Sequence, residues 1–181
     1  MNLPNKITMI RVFMVPVFIV FMLCTSIPYH NYFAAAVFIL ASITDFIDGY
    51  IARKRKLVTD FGKFMDPLAD KLLICSAMIC FVADTEIPMP AWIVIIIIGR
   101  EFIISGFRLI ASDNGIVIAA NIWGKVKTVV QMIMSVTLML KIDQPFFEVL
   151  EQILIYASLL FTIISLVDYV WTNRRVISDV K

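Results

Sequence analysis

Six stretches of about 20 predominantly apolar residues, roughly 7–27, 32–53, 62–83, 91–112, 119–140 and 148–172, divide this chain almost end to end. A helix of that length crosses the hydrocarbon core of a bilayer, where the backbone must satisfy its own polar groups. With 61% of its 181 residues hydrophobic and 17% charged, a water-soluble domain of this size could not hide its apolar surface. The expectation is an all-α integral membrane protein with six transmembrane helices, built as a single domain over residues 1–181. Short connections make successive helices antiparallel neighbours. The first stretch has the position of a signal peptide. Yet Cys24-Thr25-Ser26-Ile27-Pro28 is a poor small-residue cleavage site, so this helix is expected to be retained.

The formal charge of +2 and the lack of a long basic tract exclude a nucleic-acid partner. Placement says more than the sum. One side collects Lys6, Arg11, the run Arg53-Lys54-Arg55-Lys56, Lys63, Arg108, Lys125, Arg174, Arg175 and Lys181. On the other side Lys141 stands against Asp84, Glu86 and Asp143. Basic residues stay cytoplasmic, so both termini are expected there, in the cell membrane, with the basic run against anionic headgroups. Tyr29, Tyr32 and Trp92 would mark the outer interface, and Trp123, Tyr169 and Trp171 the inner one. Cys24, Cys75 and Cys80 show no metal or redox spacing, and His30 is the sole histidine. They read as packing and loop residues.

Four aspartates break the apolar pattern. Asp45 and Asp48 are three apart near the end of the second span, and Asp66 and Asp70 are four apart near the start of the third. Each pair shares a helical face. A connection of about six to eight residues brings the two pairs together as antiparallel neighbours, with Asp45 roughly 12 Å inside the basic run at about 1.5 Å per residue. Clustered carboxylates at that depth cost several kcal/mol each unless compensated. Hard oxygen donors without His or Cys point to Mg²⁺ or Mn²⁺, and four of them suit a two-ion site of the kind that acts on phosphates. Gly49, Ala52 and Gly62 are small enough for a ligand or helix to approach the backbone. Pro67 either kinks the third helix or opens its regular part with Asp66 as N-cap. The competing structural reading pairs the aspartates with Arg53, Lys63 and Lys71 at headgroup level.

The pattern Asp45-x2-Asp48-Gly49-x2-Ala52-Arg53-x8-Gly62-x3-Asp66-x3-Asp70 resembles the full motif of the CDP-alcohol phosphotransferase family. The resemblance implies that Asp45, Asp48 and Asp66 hold metal and that Asp70 is both a ligand and the general base. It implies that the acceptor hydroxyl attacks the β-phosphorus of a CDP-lipid and CMP leaves. Gly49, Ala52, Arg53 and Gly62 would line the CDP-lipid, and a homodimer is expected on the same ground.

Further polar residues sit where a membrane helix has no need of them. Arg100 and Glu101 lie mid-span in the fourth stretch, Arg108 lies two turns on, and Lys125 and Lys127 open the fifth. Intramembrane charges default to function. Adjacent residues do not share a helical face, so Arg100 and Glu101 are each expected to find a partner on another helix rather than pair simply with one another. Arg108, Lys125 and Lys127, with Arg11 and Arg100, could receive a dianionic phosphate. Asn5 is a candidate cap for the first helix, with Thr8 and Arg11 on one face above it. The segment Asn2–Arg11, Arg100-Glu101, Arg108 and Gly124-Lys125-x-Lys127-Thr128 resembles the branch of the family that uses glycerol phosphate. That resemblance implies CDP-diacylglycerol and sn-glycerol 3-phosphate as substrates, with Asn5 and Thr8 near the CDP-lipid, and phosphatidylglycerophosphate and CMP as products. Phosphatidylglycerol, inositol phosphate and serine are alternative acceptors. A cation or proton transporter would also carry buried acids, but it would not gather all four at one membrane face or lack an inverted repeat.

Overall fold

Trp92-Ile93-Val94-Ile95-Ile96-Ile97-Ile98 is a β-branched run that in water would favour a strand, yet it lies within a helix. In a low-dielectric surrounding a helix pairs every backbone group within its own segment, and that requirement overrides side-chain preference. The computed structural model describes residues 3–55, 60–113 and 121–174; the side chains of 3–7, 45–55, 60–67, 70, 112 and 113 lie outside that description. Among the described residues there are six α-helices and no strand: α1 Leu3–Leu23, α2 His30–Arg55, α3 Asp60–Ala83, α4 Ala91–Asp113, α5 Ile122–Leu140 and α6 Pro145–Thr172. One of them, α6, is long and apolar enough on its own to cross a membrane; shorter apolar stretches are Thr8–Leu23, His30–Thr44 and Lys71–Ala83.

The helices follow the sequence pattern with shifted ends. The first begins at Leu3 and stops at Leu23, earlier than expected at both ends. Pro28 disfavours helix at Ile27, and Tyr29 closes the turn at φ 60°. Asn5 therefore lies inside the first turn of α1 and does not cap it. Helix α3 starts at Asp60 and runs through Pro67, so Asp66 does not open it. Only residues 56–59, which lie outside the description, separate α2 from α3, fewer than the six to eight expected.

The chain divides into two compact units, Met1–Ile87 with Leu138–Lys141, and Pro88–Thr137 with Ile142–Lys181. In the first, α1 packs on both α2 and α3. Its inward face is Thr8, Arg11, Val15, Phe18 and Met22, at steps of three and four. Phe18 meets Phe38 at 5.9 Å and Phe21 meets Phe33 at 5.5 Å between ring centres. Ala34, Ala35 and Ala41 are buried on α2, where small side chains let helices approach. Lys141, at φ 44°, donates to Asp84 and Glu86, each at 2.7 Å, and so ties the α3–α4 connection to the end of α5.

The second unit has its polarity reversed relative to a soluble fold. The buried face of α6 is Glu151, Ile155, Ser158, Thr162, Ser165 and Tyr169. Lys127, Gln131 and Ser135 are buried along α5, and Arg100 on α4. Thr162 donates to the Ser158 carbonyl and Ser135 to the Gln131 carbonyl, the back-bonding that hides a hydroxyl inside a helix. Ile95, Phe102, Ile133, Ile153 and Val167 face outward. That surface suits hydrocarbon and not water. Tyr169 corrects an expectation: it is buried and not an interface anchor, because its ring packs edge-on against Phe107 at 5.9 Å and beneath the Arg108 guanidinium at 5.8 Å.

Candidate active site

The four aspartates lie on α2 and α3, which are in contact within the first unit. Asp45 is ten residues before the end of α2, and Asp70 is ten residues after the start of α3. At about 1.5 Å per residue both stand some 15 Å along their helices from the short link, and Asp48 and Asp66 stand some 9–11 Å from it. The backbone therefore sets the pairs at matched levels on neighbouring helices. Their side chains, with those of Gly49, Ala52, Arg53, Gly62 and Asn5, lie outside the described residues. Thr8 and Arg11, each 1% exposed, share the inward face of α1 in the same unit.

In the second unit side chains from three helices form one polar cluster. Glu101 Oε1 accepts from Arg100 Nη1 at 3.0 Å and from Lys127 Nζ on α5. Arg100 Nη2 donates to the Ser165 hydroxyl on α6. Each charged residue thus finds a partner on another helix, as expected; the adjacent pair Arg100–Glu101 closes as well, contrary to expectation. The reason is reach: the Arg100 and Glu101 side chains are long enough to bend toward each other, so the angle between their Cα–Cβ bonds does not decide the contact. Two donors on one oxygen lie roughly 4–5 Å apart, where like charges repel by about 3–4 kcal/mol at an effective dielectric near 20. The shared carboxylate offsets this and leaves the three groups with one net positive charge. Arg100 Nε is buried and has no hydrogen-bond partner among the described residues.

The opening of α5 holds this cluster in place. Asn121 caps the helix, its side-chain oxygen accepting from Gly124 N–H at 2.8 Å, and its amide donates to Asp168 on α6. A Cβ on Gly124 would stand 3.1 Å from Asn121 Oδ1, tighter than an ordinary contact, and at van der Waals distance from Arg100 Nη2 at 3.5 Å and Ser165 Oγ at 3.7 Å, so glycine here leaves room for the cap. Of the expected phosphate-binding residues, the structure brings Arg100 and Lys127 together. Lys125 is exposed, two residues from buried Lys127. Arg108 is exposed and covers the Tyr169 ring. Asn121, Ser165, Asp168 and Tyr169 were not legible as site residues. Asn121, directly before an apolar run, carries the signal of a helix cap; isolated Ser165 and Asp168 carry none.

Among the described residues no group of three or more His, Cys, Asp or Glu side chains could hold a metal ion. The sequence model of a family described as CDP-alcohol phosphatidyltransferase matches residues 1–164. The chain is 43% identical to the CDP-diacylglycerol–glycerol-3-phosphate 3-phosphatidyltransferase of Bacillus subtilis, over 95% of each chain. It is 35% identical to the Haemophilus influenzae protein of the same name, over 98% of this chain and 96% of the other. A probable phosphatidylglycerophosphate synthase of Mycobacterium tuberculosis is 36% identical, over 99% and 85%.

Proposed function

Since the chain belongs to the CDP-alcohol phosphatidyltransferase family, we propose that it transfers the phosphatidyl group of CDP-diacylglycerol to sn-glycerol 3-phosphate, giving phosphatidylglycerophosphate and CMP. The names of its relatives in Bacillus and Haemophilus support both substrates. The observation that carries the acceptor is the pair of buried cations, Arg100 and Lys127, gathered at one carboxylate, with the Arg100 Nε donor unused among the described residues. A phosphorylated alcohol suits such donors through charge-assisted hydrogen bonds. The zwitterion of serine does not.

Asp45, Asp48, Asp66 and Asp70 fit a pair of Mg²⁺ or Mn²⁺ ions by donor chemistry, being hard carboxylate oxygens in helical pairs at matched levels of α2 and α3. Bound there, the ions would neutralise the diphosphate. Asp70 takes the proton from the acceptor hydroxyl as that oxygen bonds to the β-phosphorus, and the phosphorus–oxygen bond to CMP breaks. Gly49, Ala52 and Gly62 leave room for the CDP-lipid beside the backbone, Arg53 faces its diphosphate, and Asn5 and Thr8 lie on the helix alongside. Arg11, Arg108 and Lys125 supply further positive charge toward the acceptor. The chain crosses the cytoplasmic membrane six times with both termini and the active site on the cytoplasmic face, where anionic lipids meet the basic run, and it works as a homodimer. The outward apolar faces of the helices support immersion in lipid.

The test is an acceptor screen with purified protein and radiolabelled CDP-diacylglycerol. Glycerol 3-phosphate should yield product and CMP with added Mg²⁺ or Mn²⁺, and chelation should abolish both. Product from phosphatidylglycerol, inositol phosphate or serine but not from glycerol 3-phosphate would overturn the acceptor; undiminished turnover in chelator would overturn the metal site.

A further inference from the structure

We propose that Glu101 is a positioning residue for the acceptor: it holds Lys127 and Arg100 in the interior of the second unit as a preformed receptor for a phosphate group. This rests on the acceptor reading above. Three observations lead to it. Both cations use the same atom, Glu101 Oε1, so one charge organises both. The cations are almost wholly buried, with side chains 9% and 2% exposed, whereas Glu101 is more open at 16%. Arg100 is steadied further by a neutral partner, since Nη2 donates to the Ser165 hydroxyl on α6.

The consequence is electrostatic. Without Glu101 two positive groups would face each other in a site of low dielectric, and they would separate. With it, the pair is settled before any ligand arrives and still attracts a dianion. Asp168, the neighbouring acid on α6, accepts from the Asn121 amide. Glu101 never touches the reacting phosphorus; it acts through the two cations.

The experiment is steady-state kinetics of the full chain in detergent with both substrates varied, together with thermal unfolding. Glu101→Gln should raise KM for glycerol 3-phosphate about tenfold or more, hold kcat at saturating acceptor within about threefold, and leave KM for CDP-diacylglycerol unchanged. Glu101→Asp, which keeps the charge, should restore most of the loss. If Glu101→Gln does not accumulate as folded protein, the Asp variant carries the test with an acceptor KM about threefold above wild type. The loss in the double variant Glu101→Gln/Lys127→Gln should be smaller than the two single losses combined, since the two act together. A parallel fall of kcat, both KM effects and melting temperature would make Glu101 merely structural and overturn the proposal. An acceptor KM raised by Lys127→Gln but not by Glu101→Gln would overturn it while the acceptor pocket stands. If neither variant moves the acceptor KM, the pocket falls too. A wild-type protein inert toward glycerol 3-phosphate takes down the acceptor reading and this proposal with it.

Discussion

Asparagine in place of Asp70 keeps the shape of the side chain and removes its capacity to take a proton. Asp70→Asn is therefore expected to abolish turnover while CDP-diacylglycerol binding stays measurable by equilibrium binding; near-normal turnover would remove the base assignment. Gly124 offers a second test at this scale. Alanine ordinarily stabilises a helix interior by about 0.5–1 kcal/mol over glycine. Here the added carbon would press on Asn121 Oδ1 at 3.1 Å, and that atom cannot retreat, because it caps α5 while its amide partner holds Asp168. Gly124→Ala should instead lower stability by about 1 kcal/mol, seen as a lower melting temperature. A melting temperature above wild type would mean that Asn121 yields. The cations of this cluster were readable in the sequence because charge inside an apolar run stands out. The contacts around them were not: Ser165 is 65 residues from Arg100 and Asp168 is 47 from Asn121, and a lone serine or aspartate in an apolar helix does not declare which helix it faces.

Lys141 links two connections between helices, and its contribution depends on both conformation and charge. Burial lowers the proton affinity of its ammonium, but hydrogen bonds and charge from Asp84 and Glu86 outweigh this and hold the pKa above the usual lysine value. A group with a raised folded-state pKa contributes fully below its unfolded value and loses that contribution as pH rises through the folded one. The tie should accordingly be constant from pH 7 to about 9.5 and weaken only above about pH 10.5, as read by thermal unfolding against pH. Most of its worth lies with Asp84, since Glu86 is 75% exposed and its pair is screened. The backbone supplies a second handle. At φ 44° a residue with a Cβ is strained by about 1–2 kcal/mol. Lys141→Ala should destabilise the protein by about 1–2 kcal/mol, and Lys141→Gly by about 1 kcal/mol less, because glycine accepts the left-handed region. Equal losses would show that the turn relaxes. The helices themselves were legible from apolar periodicity, to within about four residues at their ends. The left-handed turns at Tyr29 and Lys141 were not, since neither residue type favours that conformation.

Across the whole molecule the expected topology sets six crossings, both termini inside. With the native cysteines replaced, cysteine at Ser26 or Asp143 should react with a membrane-impermeant maleimide on intact cells, and cysteine at Arg174 only after lysis. Labelling of position 174 from outside would reverse the orientation. By itself the sequence determined an all-helical chain, the positions of its six helices, the family, and the spacing of the four aspartates. Those properties follow from local rules: periodicity, the length needed to cross hydrocarbon, and the identity of residues at short, fixed separations. Only the tertiary structure decided that Arg100 and Lys127 meet on Glu101, that Ser165 accepts from Arg100 and Asp168 from Asn121, and that Tyr169 turns inward. Those contacts join helices distant in sequence, and they depend on how side chains fill the space between packed elements, which no local pattern encodes.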